Sequence, residues 1–425
     1  MVLRSRLLPF LVVLLLAVQL VVPWRGWAMA LAGLGGAWAL SWLWARSLLH
    51  GLELKREMRF GWAQVGDRLE ERFTLINRGW APALWVEVLD HSDMPDYDVS
   101  RATGVGATSQ HRWRTGGVCS QRGLFTLGPT TISTGDPLGL YTVNLLNAAS
   151  ATLMVTPPIL PLPSIEVAPG GRVGDGRPRP YTLERTITSS TVREYVPGDE
   201  RHWIHWPTTS RRGSLHVRLF DGAPVGDWWI FLDMARDVQV GEGWASTEEH
   251  GVMLAASLAD RGLRAGRNVG LVAHGVEPLW LPPRADPDQR LKILRSLALL
   301  STGDLRLEGL LERSRATLGR YASVVLITPD IDGSWIERLL LMQRRGVVPT
   351  VLLLDPRSFG GDSSAHPMMA SLSEHGITHH LITPDLLDRP EATPGQRGAW
   401  EWKVLGTGRV IATQAPSDRS WRELG

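Results

Sequence analysis

Two apolar runs open the chain. Leu7 to Val22 is apolar except for Gln19, and Trp27 to Ala45 carries no charge. The turn "PWRG" separates them. Each run is close to the roughly 20 residues that span a bilayer, so the pattern predicts a transmembrane helical hairpin over residues 1–50. Trp24, Trp27, Trp42 and Trp44 lie near the ends of the second run, where indoles favour the headgroup layer. Gly33, Gly35 and Gly36 allow close approach of two helices. A second apolar run follows the first at once, and no small-residue cleavage site lies between them, which argues against a signal peptide. Arg4 and Arg6 precede the hairpin, and Arg46, Lys55, Arg56 and Arg59 follow it, with only Arg25 in the turn. That asymmetry places both ends, and everything after residue 50, on the cytoplasmic side of the inner (plasma) membrane.

From residue 51 to about 160 apolar and polar positions alternate in short runs, as in "DRLEERFTLIN" and "ALWVEVLD", punctuated by Gly and Pro. This period predicts an antiparallel β-sandwich-like domain. Residues 161–224 begin as a Pro-, Gly- and Arg-rich connection and end in "REYVPGDERHWIHWPTTSRRGSLHVRLF". From 225 to about 385, wholly apolar runs such as "WWIFL", "SVVLIT" and "TVLLLD" alternate with amphipathic stretches. Such strands, buried on both faces, predict an α/β domain with a mostly parallel sheet. The fold class is therefore α+β multidomain. Residues 386–425 form a C-terminal extension, in which "WEWKVLGTGRVIAT" suggests a further hairpin.

Composition narrows the function. A formal net charge of +2 gives no general attraction to nucleic acid. The basic residues are nearly all arginine, with Lys55, Lys292 and Lys403 the only lysines, which fits genomic base composition better than phosphate recognition. Cys119 is the single cysteine, so no intramolecular disulfide can form. The sequence carries no G-x-x-x-x-G-K-[ST], H-E-x-x-H, C-x-x-C or G-x-S-x-G, and so no motif for nucleotide hydrolysis or common hydrolase chemistry. In a parallel sheet, ligands bind beyond the carboxyl ends of strands, where Asp233, Asp330 and Asp355 fall.

In "YVPGDERHWIHWP", Val196-Pro197-Gly198 reads as a turn and Asp199 as the N-cap of a short helix, with Trp203, Ile204 and Trp206 as its apolar surface and Pro207 ending it or forcing it to restart. His202 and His205 would share one helical face. The structural reading uses every residue of this stretch. The catalytic one needs a nucleophile or metal that the stretch does not name.

Two segments resemble a known family. "RGLFTLGPTTISTGDPLGLY" (122–141) and "REYVPGDERHWIHWPTTSRRGSLHVR" (193–218) are similar to the two signatures of the DUF58 family, in the same order after a hairpin. The resemblance implies a von Willebrand factor A-like α/β domain. It also implies association with a MoxR-type AAA+ ATPase and with transglutaminase-like membrane proteins. Tyr195, Pro197, Gly198, Asp199, Arg201, Ile204, Trp206 and Arg211 carry it and are expected to form an interdomain joint. The metal site of von Willebrand A domains has Asp-x-Ser-x-Ser after its first strand; here that place reads "DMARD". Asp233, Asp237 and Asp330 thus make a degenerate site for Mg²⁺, and no cofactor is expected. The resulting expectation is a membrane-anchored, non-enzymatic scaffold or adaptor. The alternatives are a hydrolase or metal-dependent enzyme using Asp199, His202 and His205 or Asp233, and a structural protein of the cell envelope.

Overall fold

The computed structural model describes all residues except 60, 161, 163–164, 169–184, 196–203, 223–226, 285, 320–321, 388–400, 405–409, 415–421 and 425. The chain divides into two compact units, 1–158 with 389–425, and 159–388.

The first unit begins with a two-residue strand, β1 (Val2–Leu3), followed by helices α1 (Leu7–Val21) and α2 (Arg25–Gly51). Of these, α2 is long and apolar enough to cross a membrane; α1 is a shorter apolar helix of 15 residues. The strands that follow are β2 (Leu52–Met58), β3 (Trp62–Gln64), β4 (Arg68–Asn77), β5 (Ala83–Asp90), β6 (Arg101–Val105), β7 (Ser109–Val118), β8 (Gly123–Leu127), β9 (Thr130–Gly135), β10 (Tyr141–Asn147) and β11 (Ala151–Thr156). They form sheets of order β1-β10-β9-β5-β6 and β3-β11-β8, and a third in which β2, β4 and β7 are successive neighbours. The alternation read from the sequence is visible in β2, where every second residue from Leu52 to Met58 is buried.

The inner face of β2 carries a charge. The Arg56 guanidinium has no solvent exposure and donates to both oxygens of Glu71 at 2.8 Å. It also reaches Asp90 Oδ1 at 2.6 Å, Thr130 Oγ1 at 3.2 Å and Ser92 Oγ at 3.1 Å. Because Asp90 and Thr130 belong to β5 and β9, this cluster joins the inner faces of two sheets. Phe73 lies under the guanidinium, 5.1 Å away, and Tyr97 donates its hydroxyl to Glu71. Burial, with the Glu71 carboxylate next to it, holds the Tyr97 phenol well above its ordinary range.

α2 is docked at its carboxyl end. Ser41, Ala45, Leu48 and Gly51 are buried, spaced three or four apart and so on one face. Trp38 Nε1 donates to Tyr141 Oη at 2.7 Å, and Trp44 Nε1 to the Pro82 carbonyl at 3.2 Å. Near the chain's end, β20 (Glu401–Val404) and β21 (Val410–Gln414) pair antiparallel, and β22 (Arg422–Glu423) pairs with β2, so that the third sheet reads β22-β2-β4-β7.

In the second unit, β12 (Arg185–Glu194) and β13 (His216–Gly222) form a two-stranded sheet of their own. This corrects one expectation: the Pro/Gly-rich connection ends in a strand, and that strand pairs with the one formed by "SLHVRLF". Between them lies α3 (Trp206–Arg212). The α/β sheet comprises β14 (Trp228–Leu232), β15 (Val269–His274), β16 (Pro278–Arg284), β17 (Ser323–Thr328), β18 (Val348–Leu354) and β19 (Thr378–Ile382), in the order β16-β15-β14-β17-β18-β19. All neighbours are parallel except β16, which is an antiparallel edge. The helices are α4 (Thr247–Arg264), α5 (Pro287–Leu299), α6 (Leu307–Ser314), α7 (Ile336–Arg344) and α8 (His366–Glu374). Alternate residues of β14 point to opposite faces. Ile230 and Leu232 pack with residues of α4 and α5, while Trp229 and Phe231 pack with residues of α6, α7 and α8. Ser246 caps α4, accepting from the Glu249 N–H at 3.2 Å.

Candidate functional site

The strand order fixes where a site belongs. From β14 the chain moves outward to β15 and β16, then crosses back to β17 and moves outward the other way. The carboxyl ends of β14 and β17 therefore flank a switch point, the crevice at which open α/β sheets bind ligands. Asp233 follows β14 and Thr328 ends β17, with Asp330 two residues on.

Asp233 is 3% exposed, and its oxygens are already engaged. Thr328 Oγ1 donates to Oδ2 at 2.6 Å, and the Ala235 N–H to Oδ1 at 3.1 Å. Thr328 Oγ1 in turn accepts from the Asp330 N–H at 2.9 Å, and Asp330 Oδ1 accepts from the Asp332 N–H at 2.8 Å. Burial pushes the Asp233 carboxyl up to about 6; the bonds from Thr328 and Ala235 oppose that rise, and the charges of Asp330 and Asp237 add to it. Burial raises Asp330 as well.

A cation from the next loop answers these carboxylates. Met234 and Gly303 are tied by the Gly303 N–H at 2.8 Å, and the Arg236 N–H returns to the Gly303 carbonyl at 2.8 Å. This short ladder latches the α5–α6 connection onto the loop after β14 and sets Arg306 at the start of α6. There the guanidinium donates to Asp237 Oδ2 at 2.7 Å and lies 3.5 Å from Asp332. The hydrogen bond and charge of Asp237 hold Arg306 above its ordinary range.

The residues offered for Mg²⁺ therefore do not converge on a shared point. Asp237 is turned to Arg306, Asp233 to Thr328 and a backbone N–H, and Asp330 to Asp332. Among the described residues, no three His, Cys, Asp or Glu side chains are grouped as a metal ion would need. Asp355, at the third strand end, caps the start of α8 through the Ala365 N–H at 2.9 Å. A cleft of about 910 Å³, lined by Arg315, Leu318, Met342 and Arg345 among others, sits at the amino ends of β17 and β18, away from these carboxylates.

The signature segment is placed in part. Pro197, Gly198, Asp199, Arg201 and His202 lie outside the described residues. The Tyr195 N–H donates to the Leu215 carbonyl at 2.8 Å, prolonging the β12–β13 ladder, and Ile204 forms a bridge with Val217. His205 stands at the N-cap of α3, with Nδ1 2.7 Å from Thr208 Oγ1. Pro207 lies in the first turn of this helix, where a proline sacrifices no hydrogen bond, in line with a helix restarting there. Ile204 and His205 thus precede the helix, and Trp206, expected on its apolar surface, is 65% exposed. Arg211 is exposed in the last turn, before Gly213 closes the helix at φ +70°.

Sequence reasoning missed Arg306 and Thr328. Arg306 has no local signal. Thr328 had one, a hydroxyl at a strand end beside Asp330.

Residues 191–359 match the family model described as "Protein of unknown function DUF58". The uncharacterized protein Rv1480 of Mycobacterium tuberculosis (strain ATCC 25618 / H37Rv) is 25% identical over 236 residues, covering 54% of this chain and 74% of the relative. The uncharacterized protein Mb1516 of Mycobacterium bovis matches to the same extent. Among solved structures, a von Willebrand factor type A protein from Catenulispora acidiphila is similar at 10% identity and a TM-score of 0.25, covering 37% of this chain and 38% of that one. The match over residues 191–359, about two fifths of the chain, makes this part of the chain similar to the DUF58 family.

Proposed function

We propose that the protein is a membrane-anchored, non-enzymatic scaffold or adaptor, its soluble units cytoplasmic, which presents the carboxyl-end loops of a von Willebrand A-like sheet to a MoxR-type AAA+ ATPase. The partner would supply the energy for assembling or maturing envelope-associated complexes, and a transglutaminase-like membrane protein is a second candidate partner. The ATPase comes from the family resemblance. The anchor is supported by α2.

The observation that carries the reading is the Arg306 latch. Asp237 and Asp332 are exposed yet bound to a tethered guanidinium, while Asp233 and Asp330 are turned inward onto Thr328 and backbone N–H groups. Such a surface offers charged, exchangeable ion-pair partners to another protein. The test is to place a photoreactive residue at Arg236, which is exposed beside the latch, crosslink in cells and identify the adducts by mass spectrometry. A AAA+ ATPase crosslinked at position 236 is expected. Its absence there, with the protein folded and membrane-bound, would sink the proposal.

A further inference from the structure

The helical hairpin is short for its task, and the sandwich end at its base is dressed for a lipid interface. α1 has 15 residues, about 22 Å of helix. α2 is already held to the sandwich at Trp38, through Tyr141, and buries one face from Ser41 onward. Its free part, Arg25 to Ala37, is therefore about 20 Å long. A bilayer's hydrocarbon core is about 30 Å thick, so the free arm falls about 8–10 Å short. A shortfall of this kind is met by thinning the bilayer or by drawing adjoining groups into it.

The adjoining groups are those at one end of the first unit. The register places the start of β5, the end of β9 and the start of β10 at the same end of their sheet, next to β1: Leu3 pairs with Tyr141, Gly135 with Thr142, and Thr134 with Val86. The Arg4 N–H bonds to the Leu140 carbonyl, so the chain enters α1 from this end. The Trp80 ring packs edge-on against Trp44 of α2 at 5.7 Å. At this end Trp80 is 55% exposed, Leu84 61%, Trp85 41% and Leu138 59%. Arg4, Arg6 and Arg46 are exposed beside them, Arg46 stacked on Trp42 at 5.1 Å. Indoles and leucines backed by arginines match a layer that is part hydrocarbon and part anionic headgroup.

We propose that this rim of the sandwich is seated in the headgroup layer of the bilayer, with Trp80, Trp85 and Leu138 immersed at the level of Trp42 and Trp44. The inference rests on the reading of α1 and α2 as membrane-embedded. It adds that the sandwich is itself a peripheral membrane domain, held against the lipid surface rather than suspended above it.

The test uses the full chain, in which buried Cys119 is shielded from labelling. Single cysteines are introduced as Leu138→Cys, Trp80→Cys, Leu146→Cys and Leu14→Cys, and each is labelled with an environment-sensitive fluorophore. The proteins are reconstituted in vesicles of phosphatidylethanolamine and phosphatidylglycerol, with nitroxide lipids labelled either near the headgroup or deep in the chain. Leu146 pairs with Thr131 toward the opposite end of the sheet and reports solvent. Positions 138 and 80 are expected to emit blue-shifted light and to lose most of it to headgroup-level nitroxides, while 146 stays unquenched. If position 14 is quenched by deep nitroxides but 138 and 80 behave like 146, the rim is not immersed and the proposal fails while the membrane reading stands. If position 14 is not quenched, both fail. The Leu138 site, in a surface turn, keeps the test valid should loss of the Trp44–Trp80 contact disturb the fold.

Discussion

Truncating Arg56 to alanine should unfold the first unit while sparing the second. The guanidinium is wholly buried and satisfies Glu71 through two bonds, Asp90 through one short bond, and two hydroxyls besides. Removing one member of a buried ion pair costs about 3–5 kcal/mol, chiefly because the abandoned charge stays buried. Here two carboxylates are abandoned and the cation over Phe73 is lost, so the upper end, about 5 kcal/mol, is expected. A domain holds only about 5–15 kcal/mol in all. Arg56→Lys keeps a charge but not the planar fork, and should fall between. A triple change, Arg56→Met with Glu71→Gln and Asp90→Asn, removes all three charges together and should recover much of the loss. Amide hydrogen exchange read by mass spectrometry on the detergent-solubilised protein resolves the two units separately. Peptides from β4 and β7 should lose protection in Arg56→Ala, and those from β14 and β17 should not. Unchanged protection in β4 and β7, or a triple variant no better than Arg56→Ala, would refute the view that this cluster holds the sheets together.

Asp233 is raised in the folded state, so its contribution is fully present below pH 4 and is lost as pH rises to about 6, a change of about 3 kcal/mol at most. Asp233→Asn should abolish that fall in exchange protection of β14 and β17 between pH 4 and 6; a variant as pH-sensitive as wild type would contradict the assignment. One millimolar Mg²⁺ should leave the melting temperature of the second unit unchanged, whereas a site with a Kd near 10 μM would add about 2.7 kcal/mol; a shift seen in wild type and lost in Asp233→Ala would reveal a working metal site. A side chain at Gly79 would meet Ser47 Oγ at 2.5 Å and its carbonyl at 3.0 Å, where α2 meets the β4–β5 loop. Gly79→Ala should therefore cost about 1–3 kcal/mol. Gly36→Ala, with nothing within 4 Å, should cost nothing; equal melting of the two variants would count against close docking of α2.

Legibility in the sequence followed the range of the interactions. The α/β unit was readable because its strands are apolar throughout and its helices are amphipathic, both local patterns. β16 escaped because Pro278, Pro282 and Pro283 demote such a run; an edge strand tolerates them. β12 was hidden by the Pro- and Gly-rich stretch before it. At the candidate site, Asp233 and Asp330 could be named from strand ends, and Asp237 from the resemblance of "DMARD" to a metal motif. Arg306 could not, since only the folded α5–α6 connection brings it to Asp237. Arg56 was legible in principle. It occupies the same alternating positions as Leu52, Leu54 and Met58, and Glu71 keeps step with Leu69, Phe73 and Leu75, so opposite charges fall at inward positions of two strands. In the sequence reading Arg56 counted only as one of the positive charges that follow the hairpin.

The pairing of β22 with β2 has a consequence for biogenesis. The Leu424 N–H bonds to the Arg56 carbonyl, and Leu424 is buried, so the outer edge of β2 at Arg56–Met58 is closed by residues made only after the entire second unit. The sandwich is thus interrupted by its neighbour in the order of synthesis. While the ribosome is making residues 159–388, β2 presents a row of unpaired backbone groups to whatever strand arrives first. In that interval a nascent chain is most open to mispairing with copies of itself, or to capture by a chaperone.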